Sequence, residues 1–332
     1  MIIKRAAEFV NHRGPNLNLH RQIKENPHLS TILGYAWPPG PKVAYERQQI
    51  ETPDGDFFHV DWVGKNESGP ILLVLHGLEG SSEAPYIKRL ATTARTHGYR
   101  FAAFQHRSCS GEDNRLVHCY HSGFTNDIQT MLQLLQEQEP QTSVFVIGFS
   151  LGGSILANHL GRHQVTPNVK AACLCATPFN LAPGAKALQT GFTQVYELRF
   201  LFSLRRKAKA KAKKHPQAQQ WIRQTLKAKT LEAFDHYWTA PSFGFESSAD
   251  YYQKASSAPH ISNVTLPTYV LHAQNDPIVV TDCFPRTQLE QNPNIEVDIL
   301  PFGGHMGFWE QEPNWLAERM LHFLNAQKNG PQ

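Results

Sequence analysis

Ser150 sits between two glycines in Gly148-Phe149-Ser150-Leu151-Gly152, at the end of an apolar run and ahead of a helix-prone segment. A serine on a tight strand-to-helix turn presents its hydroxyl away from both elements. That hydroxyl is a weak nucleophile at neutral pH; it needs a base, and the base needs an orienting acid. Asp276, in "YVLHAQNDPIV", and His305, in "DILPFGGHMGF", supply those residue types. Each follows the C-terminal end of an expected strand, where sites on parallel sheets assemble. Among seventeen histidines, His305 is singled out by this position and by its glycine neighbours. Asp282 and Asp298 are weaker candidates for the acid, since one begins a helix and the other lies within a strand. The chemistry such a set would do is nucleophilic attack through a covalent intermediate, with acyl transfer the expected reaction. Its oxyanion needs two backbone N–H donors, expected at Leu151, next to the serine, and at Leu78 in "LHGLEG".

These residues need a sheet to position them. "KVAYERQQI" and "FFHVDWVG" flank an Asp-Gly turn and read as a hairpin. Then "PILLVLHG", "YRFAAFQH", "SVFVIG" and "VKAACLCA" alternate with helical patterns at 83–98, 124–138 and 150–160. The alternation resumes with "PTYVLHA", a helix near 281–290, "IEVDILP" and a helix at 312–326. Repeated βα units imply a mostly parallel sheet with helices on both faces. Residues 180–255 interrupt the pattern as a helix-prone, basic and aromatic insertion after the sixth strand. The expected organisation is a segment packing on the core at 1–42, core at 43–179, a helical cap at 180–255, and core again at 256–328.

Eleven Lys and Arg fall between Arg199 and Lys229 without one Asp or Glu. The net charge of +4 is therefore a local feature, and the rest of the chain is acidic. The N-terminus lacks a secretory apolar core, no window reaches the ~18–20 apolar residues of a membrane span, and the five cysteines form no disulfide or zinc spacing. A cytoplasmic protein is the expectation.

The chain resembles an α/β hydrolase of the YheT-like group, related to the eukaryotic ABHD lipases and the yeast ethanol acyltransferases. "LHGLEG", "GFSLGG", "NDP" and "GGH" carry the general likeness. "ENPHLSTI", "HRSCSGEDNRLVHCYHSGFTNDI" and "FDHYWTAPSFGFESSADYYQKASS" carry the closer one. In that fold Gly-x-Ser-x-Gly is the nucleophile elbow, and the chain order is serine, acid, histidine. The resemblance implies an eight-stranded α/β-hydrolase fold and a serine hydrolase of carboxylic esters, short-chain esters or acylglycerols, needing no cofactor or metal. An acyl-CoA:alcohol acyltransferase using the same triad, and a non-catalytic lipid- or partner-binding protein, are the alternatives. Two departures are visible: Ser108 where the family usually has glycine, and Asn275-Asp276-Pro277 where it tends to have Asp-Asp-Pro.

Three further readings concern the surroundings of Ser150. Asn114, Arg115, Tyr120, His121 and Ser122 are read as groups that tie down a loop rather than line a substrate site. Phe179, Phe192 and Tyr196 are candidates for an apolar acyl pocket. The run from Arg205 to Lys214 is read first as a solvated helix face, with peripheral contact to the inner face of a membrane as the second reading. No nucleic-acid-binding module accompanies it.

Overall fold

The computed structural model describes residues 17–36, 39–309 and 314–328. The first sixteen positions of the expected N-terminal segment lie outside the described residues.

Eight strands form one sheet: β1 (Glu46–Glu51), β2 (Phe57–Val63), β3 (Ile71–Leu75), β4 (Arg100–Gln105), β5 (Val144–Phe149), β6 (Val169–Cys175), β7 (Thr268–Ala273) and β8 (Ile295–Leu300). Their order across the sheet is β1-β2-β4-β3-β5-β6-β7-β8. The β1–β2 hairpin and the β2–β4 pair are antiparallel, and the rest are parallel. The hairpin turns at Gly55, whose φ of 81° suits a residue without a Cβ.

The central strands are apolar on both faces, as a doubly covered sheet requires. In β3, Leu73 and Leu75 point to one core layer while Leu72 and Val74 point to the other. The first layer is filled by α4 (Asn126–Gln138), α5 (Leu151–Arg162) and α12 (Arg286–Gln291), through Met131, Leu156 and Leu289. The second is filled by α3 (Pro85–Thr96) and α13 (Trp315–Ala326), through Leu90 and Leu321. Among the described residues, two short helices precede the sheet, α1 (Leu17–Glu25) and α2 (Pro27–Ala36). All eight strands foreseen from the sequence are present.

Between β6 and β7 the chain is helical: α6 (Leu181–Ala187), α7 (Gln194–Lys214), α8 (Gln219–Lys227), α9 (Leu231–Phe234), a π-helical turn at Asp235–Thr239, α10 (Ala240–Phe243) and α11 (Ser248–Ala255). These helices build an apolar cluster of their own around Leu201, Phe234 and Trp238, and Leu78, Val117 and Ile278 of the core pack against it. The cluster therefore sits on the end of the sheet where β3, β5 and β7 finish. Among the described residues no helix is long and apolar enough to cross a membrane.

Candidate active site

Ser150 joins β5 to α5 with φ 51° and ψ −120°. Such a conformation costs a non-glycine residue on the order of 1–3 kcal/mol and persists only where its surroundings impose it. Here they do. The Ser150 N–H donates to Cys175 O at 2.9 Å, and Ser150 O accepts from Ser154 N at 3.1 Å. A Cβ at Gly152 would lie 2.5 Å from His76 O, and one at Gly148 would lie 2.7 Å from Gly153 Cα. Both distances are shorter than real Cβ contacts, so each glycine of the pentapeptide is a packing requirement.

The three residues singled out by type and order meet. His305 Nε2 is 3.0 Å from Ser150 Oγ, and His305 Nδ1 is 2.9 Å from Asp276 Oδ2. The other carboxylate oxygen of Asp276 accepts from the Ile278 and Val279 N–H groups at 2.8 and 2.9 Å. Asp276 is buried and has one oxygen committed to its own loop, leaving the second to orient the imidazole. Leu151 occupies the first position of α5, where a backbone N–H has no acceptor within its own helix. Leu78 borders the same cavity as Ser150 and His305. A Cβ at neighbouring Gly77 would lie 3.1 Å from Ser150 Cβ, which measures how closely the post-β3 loop approaches the serine.

Two supports escaped the sequence reading. Thr31 Oγ1, on α2, donates to Pro27 O at 2.6 Å and accepts from the His305 N–H at 2.8 Å. Asn275 Oδ1 accepts from the Gly303 and Gly304 N–H groups at 2.9 Å each, and its Nδ2 donates to Glu25 O at 3.2 Å. The histidine loop is thereby held from one side by the acid loop and from the other by the N-terminal helices. The departure from Asp-Asp-Pro is accounted for, since an aspartate could make the first two contacts but could not donate to Glu25. The signal for Thr31 was present only as part of "ENPHLSTI", with no local reason to connect it with His305.

A family model described as the alpha/beta hydrolase fold matches residues 70–312. The chain belongs to the α/β-hydrolase fold family. It is 32% identical over 97% of its length, and 94% of the relative's, to the Escherichia coli protein YheT, whose name carries a provisional esterase assignment. It is 29% identical to a Saccharomyces cerevisiae monoacylglycerol lipase over 79% of this chain and 60% of that one. The solved Pyrococcus furiosus esterase Pf2001 superposes with a TM-score of 0.57 at 15% identity, over 87% of this chain and 97% of that one, a likeness of fold.

In this α/β-hydrolase-fold chain the loop after β4 divides in two. Asn114 is buried and bound to Ser108 Oγ, Asp56 and the His118 carbonyl, and Arg115 pairs with Glu51. These tie the loop down, as expected. Buried Arg107 joins them, bridging Asp54, Asp56 and Asp127. Tyr120, His121 and Ser122 instead line the cavity over Ser150, which corrects the reading of them as loop anchors alone. Ser108 adopts φ 60°, the left-handed region that makes glycine the ordinary choice.

The acyl-pocket candidates also need correction. Phe179 packs edge-on against Phe284 in the core, 48%-exposed Phe192 lies 4.6 Å from the His28 ring, and Tyr196 bonds His28. None of the three borders the cavity. Its apolar wall is made by Phe200, Leu204, Phe234, Trp238, Phe243 and Tyr251, enclosing about 160 Å³. At its edge Asp235 accepts from Thr239 and Tyr252 at 2.7 and 2.9 Å, and burial pushes its carboxyl up to about 6.

The basic run is not a uniformly solvated face. Lys207 is bound to Glu79 at 2.7 Å, and fully buried Lys211 donates to the carbonyls of Asn114 and Leu116 at 2.5 and 2.7 Å. Their four-residue spacing puts both on the core side of α7, where long aliphatic stems pack and the ammonium groups find acceptors.

Proposed function

We propose that this chain hydrolyses carboxylic esters through an acyl-enzyme on Ser150. The observation that carries the proposal is the unbroken hydrogen-bonded chain from Ser150 Oγ through His305 to Asp276, opening into an apolar cavity.

Ser150 Oγ attacks the ester carbonyl carbon while His305 Nε2 takes its proton. Asp276 holds the His305 Nδ1–H, fixing the tautomer and stabilising the imidazolium. The Leu78 and Leu151 N–H groups receive the developing oxyanion, each worth roughly a hundred- to thousandfold in rate. His305 then protonates the departing alkoxide. Water attacks the acyl carbon by the reverse use of the same groups, restoring the serine and releasing the acid.

The apolar wall supports an aliphatic acyl group, and the monoacylglycerol lipase among the relatives supports acylglycerols as one substrate class. Fluorophosphonate labelling tests the nucleophile, with Ser150→Ala beside the native protein. p-Nitrophenyl esters of rising chain length then test the substrate class. Labelling should vanish in Ser150→Ala, and turnover should fall at least a thousandfold there and in His305→Ala. Folded native protein that neither labels nor cleaves any ester would move the non-catalytic reading ahead. Ester formation exceeding hydrolysis when alcohol is added would assign acyl transfer instead.

A further inference from the structure

The 21 residues of α7 divide sharply by direction. Leu201, Ala208, Lys211 and Ala212 are buried, and Phe200, Leu204 and Lys207 border the cavity. Arg205 is engaged with Ala228 O, and Lys214 with Asp113 at 3.2 Å. The acid of this helix, Glu197, is buried and accepts from Leu231 N at 2.8 Å.

Opposite this side, Val195, Leu198, Phe202, Arg206, Lys209 and Lys213 are exposed. Steps of three and four residues align them in one stripe along the helix. Its first half is apolar and far from buried: Phe202 is 74% exposed, Leu198 60% and Val195 53%. Phe192 and Leu29 are also exposed, and the His28–Phe192 ring contact brings them beside the start of the stripe. Its second half carries cations and no carboxylate. The apolar residues of this stripe do nothing for the core they face away from.

An apolar strip continued by cations on one helix face matches the layering of an anionic bilayer, with hydrocarbon contact for the first and lipid phosphates for the second. The opposite side of α7 lines the cavity above Ser150, so such a surface would lie about one helix diameter, ~10 Å, from that cavity. We propose that the outward face of α7 docks on anionic lipid bilayers, Phe202 and Leu198 entering the interface while Arg206, Lys209 and Lys213 meet headgroups. This proposal does not require ester hydrolysis, and its test reads binding alone.

The test is co-sedimentation of the full chain with phosphatidylcholine vesicles and with vesicles containing 30 mol% phosphatidylglycerol. Binding should be about tenfold stronger on the anionic vesicles and should weaken as salt rises. Leu198→Glu/Phe202→Glu should lose about tenfold or more on both. Lys209→Glu/Lys213→Glu should lose the preference for anionic lipid. Ser150→Ala should bind as the native protein does. Circular dichroism and melting of each variant should match the native protein, which separates lost binding from lost fold. Native protein without lipid binding, or folded variants that bind undiminished, would overturn the proposal. So would a dimer in solution that Phe202→Glu dissociates, since this face would then belong to a second copy.

Discussion

Lys207 Nζ on α7 lies 2.7 Å from Glu79 Oε1, and Glu79 follows Leu78 directly in the loop after β3. Glu79 has φ 53°, and its carboxylate also accepts from Tyr120 OH at 2.8 Å and from Ser203 Oγ. Tyr120 in turn accepts from the Glu79 N–H at 3.0 Å and stacks on His106. One buried carboxylate thus connects the helix over the cavity to the loop that carries the proposed oxyanion donor. Burial alone would lower the pKa of the Lys207 ammonium, but neighbouring Cys109 and Glu79 outweigh it, and the pKa is raised.

Removing one partner of a buried pair strands the other charge, at a cost of about 3–5 kcal/mol. Lys207→Met should therefore lower the melting temperature and reduce kcat by at least about tenfold, as the Leu78 loop loses its restraint. Glu79→Gln/Lys207→Met should recover part of both losses, with a coupling of about 1 kcal/mol or more. Melting curves and kcat for the four proteins close the cycle. Additive effects would show that the pair does not act as a unit.

Thr31→Val keeps shape but leaves the buried His305 N–H without its acceptor, a cost of about 1–3 kcal/mol. The expected result is a ten- to hundredfold fall in kcat with KM nearly unchanged, because the imidazole is displaced while the cavity is not. Thr31→Ser, which keeps the oxygen, should restore most of the rate. Equal losses in both variants would point to packing rather than to the hydrogen bond.

Ser108 carries two opposing contributions. Its left-handed backbone is unfavourable by about 1 kcal/mol, while its hydroxyl donates to Asn114 Oδ1 at 2.6 Å and accepts from Asn114 N at 3.2 Å. Ser108→Gly relieves the first and loses the second, so its stability should stay within about 1 kcal/mol of native. Ser108→Ala loses the bonds and keeps the strain, and should be about 2 kcal/mol less stable. Urea denaturation of the two variants decides between them.

Acid should weaken this fold through its buried histidines. Burial pushes His159 down to about 4, and both its ring nitrogens lack partners among the described residues. His76 and His121 are pushed down to about 4 and about 3 by the same cause. In each case the unfolded chain binds the proton near pH 6.5 and the folded chain does not, so stability present above 6.5 is lost as pH falls toward 4. For His159 the loss is about 3 kcal/mol in total. His159→Leu should flatten the dependence of unfolding free energy on pH between 6.5 and 4 by one proton, leaving ester turnover at pH 7 unchanged. An unaltered slope would mean that this imidazole is already protonated or solvated in the folded chain.

Some of the molecule was legible because its causes are local. Apolar, β-prone runs alternating with helical patterns marked the strands, and an Asp-Gly pair marked the hairpin. Gly148 and Gly152 announced a turn that other residues could not occupy. The acid and histidine loops were recognisable because each follows a strand at a fixed end of a parallel sheet. The cavity wall was not legible in this way. Phe179, Phe192 and Tyr196 have the composition of a pocket, but which aromatic faces Ser150 depends on how the helical segments between β6 and β7 turn.

By itself the sequence determined the sheet, the elbow at Ser150, and the order in which Ser150, Asp276 and His305 leave their strands, since each follows from short-range periodicity and backbone sterics. Only the tertiary structure decided that Thr31 would hold a histidine loop 274 residues away. The packing of α7 likewise decided that Lys207 and Lys211 would turn inward while Phe202 faced out. Those outcomes depend on which acceptors and cavities other segments bring within reach, and no spacing along a single helix encodes them.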